Sequence, residues 1–457
     1  METAAKEIKF TDDQQQAYDK IRLFLKSSER IFLLTGKAGT GKTTLINYAL
    51  EDYLEYDRKS VRKTKKDDIA TPRVMGVAMA HKAKNNLQER GGVPYVSTFA
   101  SAYGHREKFT SDGRREFVPV KDKMQYAACK KPIEIFVFDE VSMFSDKMLA
   151  LIMRETTMYA KIIFMGDRGQ LPPILTGSET DHGQDSPVFD MVLPEDCKHE
   201  LKERVRQTEG NPIVDLSDVI YETIFSNPNW NDVLYLLKIL KKDNLDDAGK
   251  GYVTIPKKNI LDFYKGISED YLDTKVIAYR RNKVFDYNRD LRNHIHDFPT
   301  EIFIPGEIVY MNKTYYGKDH NENSFAFYNA SEYIIEQVNV GSIEGIEVIF
   351  AFLEEGKAMP VITGVKGDYN HQLYQHRIAK YVQEKDWPGK YAFMDMFGDF
   401  NYGYALTAYK AQGSTYRNVF VDVNDIVTLQ KISYKRMLQS LYTAITRASD
   451  NVYFVSK

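Results

Sequence analysis

Short apolar runs recur along the chain, and each one is followed by turn or polar residues. The runs cover residues 31–34, 74–78, 135–138, 162–165, 276–278, 419–421 and 452–455. Segments of helix length separate them, which is the arrangement of doubly wound α/β units with parallel strands. The first four runs predict one set of strands, and the last three predict a second set.

Two regions break this alternation of strand and helix. Residues 301–400 contain β-branched and aromatic runs, among them EIFIPGEIVYMN, SEYIIEQVNV and IEVIFAFLEE, with Gly, Asn and Lys between them. This pattern predicts a small antiparallel barrel. Residues 106–120 place Asp112 and Gly113 between two strand-like runs, and an Asp-Gly pair in that position is a strong hairpin signal.

Length and composition are those of a globular protein with several folding units. The chain has 457 residues, of which 43% are hydrophobic and 28% charged, and at ~150 residues per domain this length predicts about three units. No apolar run approaches the ~18 residues of a membrane span, and METAAKEIKF at the start lacks the apolar core of an export signal. We therefore expect no membrane contact and a cytoplasmic location. Cys129 and Cys197 alone cannot form a disulfide framework or a metal cluster, which suits a reducing compartment.

The charge balance gives no general sign of a nucleic-acid partner. The formal net charge is −2, so a basic footprint over the whole protein is excluded, although a local basic groove with stacking platforms is not. The basic run RKSVRKTKK at 58–66 predicts a solvated loop between a helix and the next strand, with a nucleic-acid contact as the alternative.

The strongest chemical motif is RIFLLTGKAGTGKTTLINYAL, at residues 30–50. Gly36, Gly41, Lys42 and Thr43 fit the phosphate-loop spacing, in which backbone N–H groups surround phosphates, the lysine reaches the terminal phosphates and the hydroxyl ligates magnesium. A buried strand precedes the motif and a helix, whose N-terminus favours anions, follows it. The sequence therefore predicts binding of a nucleoside triphosphate.

A second motif, IFVFDEVSM, places Asp139 and Glu140 at the carboxyl end of a buried strand. Ligands bind at this end of parallel sheets, so Asp139 can hold magnesium while Glu140 polarises the attacking water. In KIIFMGDRGQLPPI, Gln170 lies in a loop beyond a neighbouring strand, where it can sense the terminal phosphate.

Two further motifs lie near the end of the chain, YALTAYKAQGST at 404–415 and SLYTAITRA at 440–448. Arg447 belongs to the second of them. An arginine supplied by the second α/β set could stabilise the charge that develops on the transferred phosphoryl group. The alternative is an ordinary surface arginine.

Taken in order, GKAGTGKTT, DEVSM, GDRGQLPP, AYKAQGST and YTAITRA resemble the motif set of superfamily-one helicases, and specifically of the RecD and Dda branch. The resemblance covers nearly the whole chain. It implies an α/β fold with two RecA-like P-loop motor domains, a small β-hairpin insertion and an SH3-like β-barrel insertion. The implied domains are 1–102 with 126–205 (first motor), 103–125 (hairpin), 206–300 with 401–457 (second motor) and 301–400 (barrel).

The resemblance also implies roles for individual residues. Gln14, in FTDDQQQAY, would read the adenine edge, and Arg206, in LKERVRQ, would reach the γ-phosphate together with Arg447. Thr43 and Asp139 would hold Mg²⁺. Residues expected to bind ATP are Gln14, Gly36, Ala38, Gly39, Thr40, Gly41, Lys42, Thr43, Thr44, Gln412 and Gly413. Residues expected to bind the nucleic acid are His81, Lys82, Thr98, Phe109, Thr407, Lys410, Ser414 and Thr415.

The function that the resemblance implies is an ATP-dependent DNA helicase that travels 5′ to 3′ on single-stranded DNA. The expected cofactors are ATP and Mg²⁺. The expected partners are single-stranded DNA and fork DNA, with a single-strand-binding protein as a further candidate. We expect a monomer, in the host cytoplasm if the chain is of phage origin. An RNA helicase of the same superfamily remains an alternative, because no residue pattern distinguishes the two nucleic acids. A P-loop small-molecule kinase and a nucleotide-switched binding protein are alternatives from other classes.

Overall fold

The computed structural model describes most of the chain. The described residues are 10–63, 72–79, 84, 87–88, 92–109, 115–119, 129, 131–173, 184–204, 210–267, 271–363 and 369–456, without the side chains of 60–63, 106–109 and 115–119. The chain divides into two compact units. One comprises Met1–Val253, Gln412–Thr415 and Ile426–Asn451, and the other comprises Thr254–Ala411, Tyr416–Asp425 and Val452–Lys457. No helix in the described ranges combines the length and the apolar character that a membrane span requires.

The strands in the described part of the chain are β1 (Ile31–Gly36), β2 (Val74–Ala78), β3 (Val96–Thr98), β4 (His105–Phe109), β5 (Arg115–Pro119), β6 (Ile135–Phe138), β7 (Lys161–Gly166), β8 (Lys198–Leu201), β9 (Asn244–Leu245), β10 (Gly251–Pro256), β11 (Thr274–Ala278), β12 (Ile308–Met311), β13 (Tyr315–Lys318), β14 (Ser324–Phe327), β15 (Glu332–Ile334), β16 (Gln337–Ile343), β17 (Ile346–Glu354), β18 (Lys357–Ile362), β19 (Phe400–Tyr402), β20 (Ala405–Thr407), β21 (Tyr416–Asp422) and β22 (Ala448–Ser456).

The α-helices in the same residues are α1 (Asp12–Lys26), α2 (Lys42–Ala49), α3 (Glu51–Lys63), α4 (Phe99–Ala102), α5 (Asp146–Glu155), α6 (Pro212–Phe225), α7 (Trp230–Leu240), α8 (Ile260–Ile267), α9 (Arg281–Ile295), α10 (Tyr369–Gln383), α11 (Trp387–Asp395), α12 (Ala408–Ala411), α13 (Val423–Val427) and α14 (Tyr434–Ile445).

The first unit is built on a six-stranded parallel sheet. Its strands lie in the order β3-β2-β6-β7-β1-β8, and every neighbouring pair is parallel. The apolar runs at 31–34, 74–78, 135–138 and 162–165 all fall in this sheet, so the first predicted set of strands is confirmed. Strands β2 and β6 are buried along their whole length, which explains why their sequences are continuously apolar.

Successive residues of a strand point to opposite faces of the sheet, and apolar clusters cover both faces here. Leu34 of β1 and Ile21 of α1 belong to one cluster. Leu33 of β1 and Phe99 of α4 belong to the other. Because the strands are parallel, the loops that follow β1, β6 and β7 all leave the sheet at the same edge. This edge carries the three motifs expected to bind and hydrolyse a nucleotide.

The second six-stranded sheet has the strand order β20-β11-β21-β22-β10-β9. Strand β11 pairs in parallel with β20 and with β21, and β9 and β10 form an antiparallel edge. The apolar runs at 276–278, 419–421 and 452–455 lie in this one sheet, as the sequence predicts. The prediction contains neither strand of this edge: β9 is only two residues long, and β10 has polar or glycine residues among its apolar ones.

Residues 301–400 form antiparallel sheets, with strand orders β15-β12-β19, β13-β14 and β16-β17-β18. The predicted antiparallel character is confirmed, and closure into an SH3-like barrel remains a prediction. The same segment contains helices α10 and α11, which the sequence analysis missed. Tyr374, Ile378 and Tyr381 of α10 pack on the cluster of Phe393 and Phe397, but aromatic residues interspersed with polar ones give only a weak helical period.

The predicted hairpin at 106–120 is present as the antiparallel pair β4 and β5, in which Phe109 is opposite Arg115. Its Asp112-Gly113 turn lies outside the described residues.

The prediction of a loop at 58–66 is wrong for the residues up to Lys63, because α3 continues to that residue. Ion pairs between Lys59 and Glu55 and between Arg58 and Glu51 lie along this helix. The predicted domain boundaries remain predictions.

Candidate active site

The phosphate loop joins the carboxyl end of β1 to the N-terminus of α2. Gly39 and Gly41 have φ angles of 85° and 81°, in the left-handed region that residues with a Cβ rarely adopt. A Cβ on Gly36 would lie 2.8 Å from the Leu201 carbonyl oxygen. The glycines of the motif are therefore required by the backbone path, which directs the N–H groups at the start of α2 toward an anion.

Lys42 is the first residue of α2, and its ammonium group lies within the loop. Its Nζ donates hydrogen bonds to the carbonyl oxygens of Gly36, at 2.7 Å, and of Lys37, at 3.0 Å. Lys42 and Thr43 both line a cavity of about 230 Å³ at this edge of the sheet. The positive charge and the helix N-terminus together make this a candidate site for phosphate groups.

The acidic pair directly follows β6. The Glu140 N–H donates to Asp139 Oδ1 at 2.8 Å, and Glu140 itself has a φ of 55°. A non-glycine residue in the left-handed region is uncommon, and such residues are concentrated at functional sites. Both carboxylates line the same cavity as Lys42.

The charges around Glu140 favour its use as a base. Burial and the neighbouring Asp139 carboxylate raise the pKa of Glu140 to about 7, while the positive charges of Arg447 and Lys42 act in the opposite direction. A carboxyl group whose pKa lies near neutral pH is well matched to accepting a proton from water.

Residues distant in the sequence complete the cavity, and every one of them belongs to the first compact unit. The cavity is lined by Ala38, Gly39, Lys42, Thr43, Asp139, Glu140, Gly166, Asp167, Gln170, Arg204, Ile213, Ser217, Gly413, Ser414, Thr415, Thr446, Arg447, Ala448 and Ser449. The structure thus brings together Lys42, Asp139, Glu140, Gln170 and Arg447, the predicted catalytic residues that lie within the described ranges.

Arg447 follows the end of α14 and is held in place by its surroundings. It is 5% exposed. Its guanidinium donates to the Thr443 carbonyl at 3.1 Å, to the Ser414 carbonyl at 3.2 Å and to Thr446 Oγ1 at 3.2 Å. Arg447 is thus a buried residue that lines a cavity with two carboxylates, not an exposed surface arginine, and its role on the transferred phosphoryl group remains a prediction.

Gln170 is buried beside Gln412. Nε2 of Gln412 donates to the Leu171 carbonyl at 3.3 Å and approaches Gln170 Oε1 at 3.5 Å. These contacts link the loop after β7 to the turn at Gln412–Thr415. Ser414 and Thr415, which the sequence analysis assigns to the nucleic acid, line the same cavity as Lys42 and Glu140, and their nucleic-acid contacts remain predictions.

The side-chain amide of Gln14 is hydrogen-bonded to other parts of the protein. Its Oε1 accepts from the Thr11 N–H at 3.2 Å, as part of the capping box of α1. Its Nε2 donates to the Thr40 carbonyl at 3.1 Å. Gln14 therefore supports the phosphate loop, and its contact with adenine remains a prediction.

The residues predicted to bind the nucleic acid lie in both units. Thr98 caps α4 by accepting from the Ser101 N–H at 3.4 Å. Thr407 accepts from the Lys410 N–H at 3.3 Å, and Lys410 Nζ donates to Asn312 Oδ1 at 2.8 Å. The predicted residues Arg206, His81 and Lys82 lie outside the described residues, as does the side chain of Phe109.

One ion-pair cluster at the cavity is missing from the sequence analysis. Asp218 Oδ1 accepts from Lys37 Nζ at 2.7 Å and from Arg204 at 2.8 Å. Arg204 lines the cavity, two positions before the predicted Arg206. The basic segment LKERVRQ is the only sequence signal that points to it, and Asp218 lies in α6 with no motif around it.

Comparison with known proteins finds two family models in the chain. The model described as "AAA domain" matches residues 9–221, and the model described as "UvrD-like helicase C-terminal domain" matches residues 402–455. The first match contains the phosphate loop, the acidic pair and the loop after β7. The second contains the turn at 412–415 and Arg447.

The chain is also similar to relatives matched over nearly their whole length and to a solved structure. The chain is 23% identical over 526 residues to an uncharacterized protein of Acanthamoeba polyphaga mimivirus, covering 98% of this chain and 99% of that protein. It is 23% identical over 473 residues to the ATP-dependent DNA helicase dda of Enterobacteria phage T4, covering 97% and 99%. A structure of two coordinating Pif1 helicases at forked double-stranded DNA matches with a TM-score of 0.52 and 16% identity, over 98% of this chain and 92% of that chain. This structural similarity indicates a shared fold.

Proposed function

We propose that this chain, a superfamily-one helicase of the RecD and Dda branch, travels 5′ to 3′ along single-stranded DNA and separates duplex DNA at forks. It is an ATP-hydrolysing DNA helicase. The observation that supports the active site best is the convergence of Lys42, Glu140 and Arg447 on one cavity. A small-molecule kinase would give no role to Arg447.

The proposed mechanism assigns one task to each side chain. The phosphate loop and Lys42 bind the β- and γ-phosphates of ATP through N–H groups and the ammonium charge. Glu140 accepts a proton from the attacking water, which its raised pKa favours. Arg447 stabilises the charge that develops on the transferred phosphoryl group, and Gln170 responds to the presence of that group.

Thr43 and Asp139 are the proposed ligands of Mg²⁺. Both line the cavity, and a hydroxyl with a carboxylate is the oxygen donor set that this ion prefers. The ion would neutralise charge on the phosphates. The residues present therefore fit the expected cofactor.

Proposed contacts with the strand come from Thr98 in the first unit and from Thr407 and Lys410 in the second. We further propose that residues 301–400 form an SH3-like barrel and that the protein works in the cytoplasm as a monomer. A single-strand-binding protein is a candidate partner. Thr98, Thr407 and Lys410 offer hydroxyl and ammonium donors to a phosphate backbone, which binds a strand without reading its sequence.

A strand-displacement assay tests the proposal. Duplexes with a 5′ tail or a 3′ tail, in DNA and in RNA, are incubated with the protein, ATP and Mg²⁺. We expect unwinding of the 5′-tailed DNA substrate alone. Unwinding of the 3′-tailed substrate would contradict the polarity, and preferential unwinding of RNA would show that the chain is an RNA helicase. Phosphoryl transfer to metabolites without stimulation by oligonucleotides would contradict the whole assignment.

Replacing Glu140 with Gln should separate ATP binding from hydrolysis. The variant keeps the phosphate loop and Asp139, but it cannot accept the proton from water, so we expect turnover to fall by about 10² to 10⁴ while ATP affinity is retained. Single-turnover hydrolysis and equilibrium binding measure the two quantities. Glu222→Gln, at an exposed position of α6, is the matched control. Equal loss of binding and turnover in Glu140→Gln would contradict the proposed role.

The hairpin of β4 and β5 is the proposed separating element of the motor. Unwinding works against stacking of about 1.4 kcal/mol per base-pair step, a load that is absent during travel on a bare strand. Replacing residues 108–116 with a Gly-Ser linker should therefore reduce strand separation sharply and leave ATPase stimulation by single strands intact. Both activities are measured on the same preparation.

A second turn of the first unit provides the control for this replacement. Residues 246–249 connect β9 to β10 and are largely exposed. The same linker placed there should change neither activity. Unwinding at the parent rate after replacement of residues 108–116 would show that the separating element lies elsewhere.

A further inference from the structure

Tyr442 connects three parts of the active site through one hydroxyl group. Its ring lies near the end of α14 and is 0% exposed. The hydroxyl accepts a hydrogen bond from the Ala38 N–H of the phosphate loop at 3.2 Å and donates one to Asp167 Oδ2 at 2.8 Å. The sequence analysis quotes Tyr442 within a motif and gives it no role.

Asp167 is the second member of this chain of hydrogen bonds. It is 1% exposed, and its Oδ1 accepts from the Gly169 N–H at 2.9 Å. The carboxylate thus fixes the conformation of the loop after β7, in which Gln170 lies three residues later. Burial raises the pKa of the Tyr442 phenol well above its usual value, so the hydroxyl keeps its proton and remains a donor.

Two neighbours of Tyr442 on α14 contact the same loop. Thr443 Oγ1 accepts from the Leu171 N–H at 3.2 Å, and Gln439 Nε2 donates to the Arg168 carbonyl at 3.4 Å. The helix is therefore fixed to the loop after β7 at three points. Of these three residues, Tyr442 also reaches the phosphate loop, because its hydroxyl is hydrogen-bonded to both Ala38 and Asp167.

We propose that Tyr442 is a positioning residue for ATP hydrolysis, whose hydroxyl sets the phosphate loop, the Gln170 loop and the helix leading to Arg447 in the arrangement that the transition state requires. This inference rests on the ATP hydrolysis proposed above. Tyr442 keeps its proton, donates a hydrogen bond to Asp167 and takes no part in the bond changes at phosphorus. Its loss should therefore affect the transition state more than the binding of ATP.

The test removes only the hydroxyl, by Tyr442→Phe. Because misplacing catalytic groups can cost about a hundredfold in rate, we expect kcat to fall by about ten- to a hundredfold while KM for ATP changes by less than about twofold. ADP with aluminium fluoride, which mimics the transition state, should bind more weakly by a similar factor. A non-hydrolysable ATP analogue should bind as it does to the parent protein. Calorimetry measures both affinities.

The matched control is Tyr235→Phe, since Tyr235 is 62% exposed on α7 and should leave every quantity unchanged. A double-mutant cycle with Asp167→Asn tests the bridge itself. If the two groups act through one hydrogen bond, the double variant should lose little more activity than the worse single variant. Melting temperatures of all variants separate loss of fold from loss of positioning.

Unchanged kcat in Tyr442→Phe would overturn the inference, as would a loss confined to ATP affinity. Additive losses in the double variant would show that Tyr442 and Asp167 act independently, which also overturns it. Absence of ATP turnover in the parent protein with single-stranded DNA would overturn the proposed function and this inference with it.

Discussion

Replacing Arg447 with Ala is expected to lower ATP turnover by about three to five powers of ten while changing ATP affinity little. Arginines that act on the transition state of phosphoryl transfer have effects of this size. Arg447 lines the cavity with Lys42 and Glu140 and is 5% exposed, so solvent screens its charge only weakly. Single-turnover hydrolysis and binding of an ATP analogue provide the measurement.

Two further variants make this result interpretable. Arg289→Ala removes an exposed arginine from α9 and should leave turnover unchanged. Arg447→Lys keeps the positive charge but loses the planar set of donors that now contacts Thr443, Ser414 and Thr446, so we expect it to recover only part of the rate. A loss of affinity alone in Arg447→Ala would identify Arg447 as a ground-state phosphate ligand.

Replacing Lys42 with Ala is expected to abolish ATP hydrolysis. Its ammonium group lies in the loop formed by Gly36 and Lys37, where the motif directs it to the β- and γ-phosphates. Lys37, the other cation of the motif, is paired with Asp218. Steady-state ATPase with single-stranded DNA measures the effect. Lys26→Ala, at an exposed position in the last turn of α1, is the matched control. Turnover of Lys42→Ala near the parent value would contradict the assignment of the active site.

Local patterns are sufficient to predict where the central residues of the candidate site lie. The phosphate loop is a contiguous motif whose glycines are set by backbone geometry, and Asp139 and Glu140 follow a strand that is buried on both faces. In a parallel sheet the loops after β1, β6 and β7 must meet at one edge. The position of these residues therefore followed from identifying the strands.

Other parts of the site depend on contacts that leave no pattern in the sequence. Tyr442 and Asp167 are 275 positions apart, and a single hydroxyl has no characteristic spacing. The carboxylate of Asp218 holds Lys37 and Arg204, but nothing in α6 distinguishes it from an ordinary exposed acid. Helices α10 and α11 were missed for a related reason, since their apolar faces become clear only against the strands on which they pack.

At Glu140, the left-handed backbone conformation creates a conflict between the stability of the fold and the proposed hydrolysis of ATP. Holding a residue with a Cβ at a φ of 55° costs about 1 kcal/mol or more of folding free energy. Glycine would adopt this angle without that cost, but it would remove the carboxylate that is proposed to accept the proton. The residue that would make the fold more stable here is thus one that would make the motor inactive, and variants selected only for thermal stability would tend to lose function at this position.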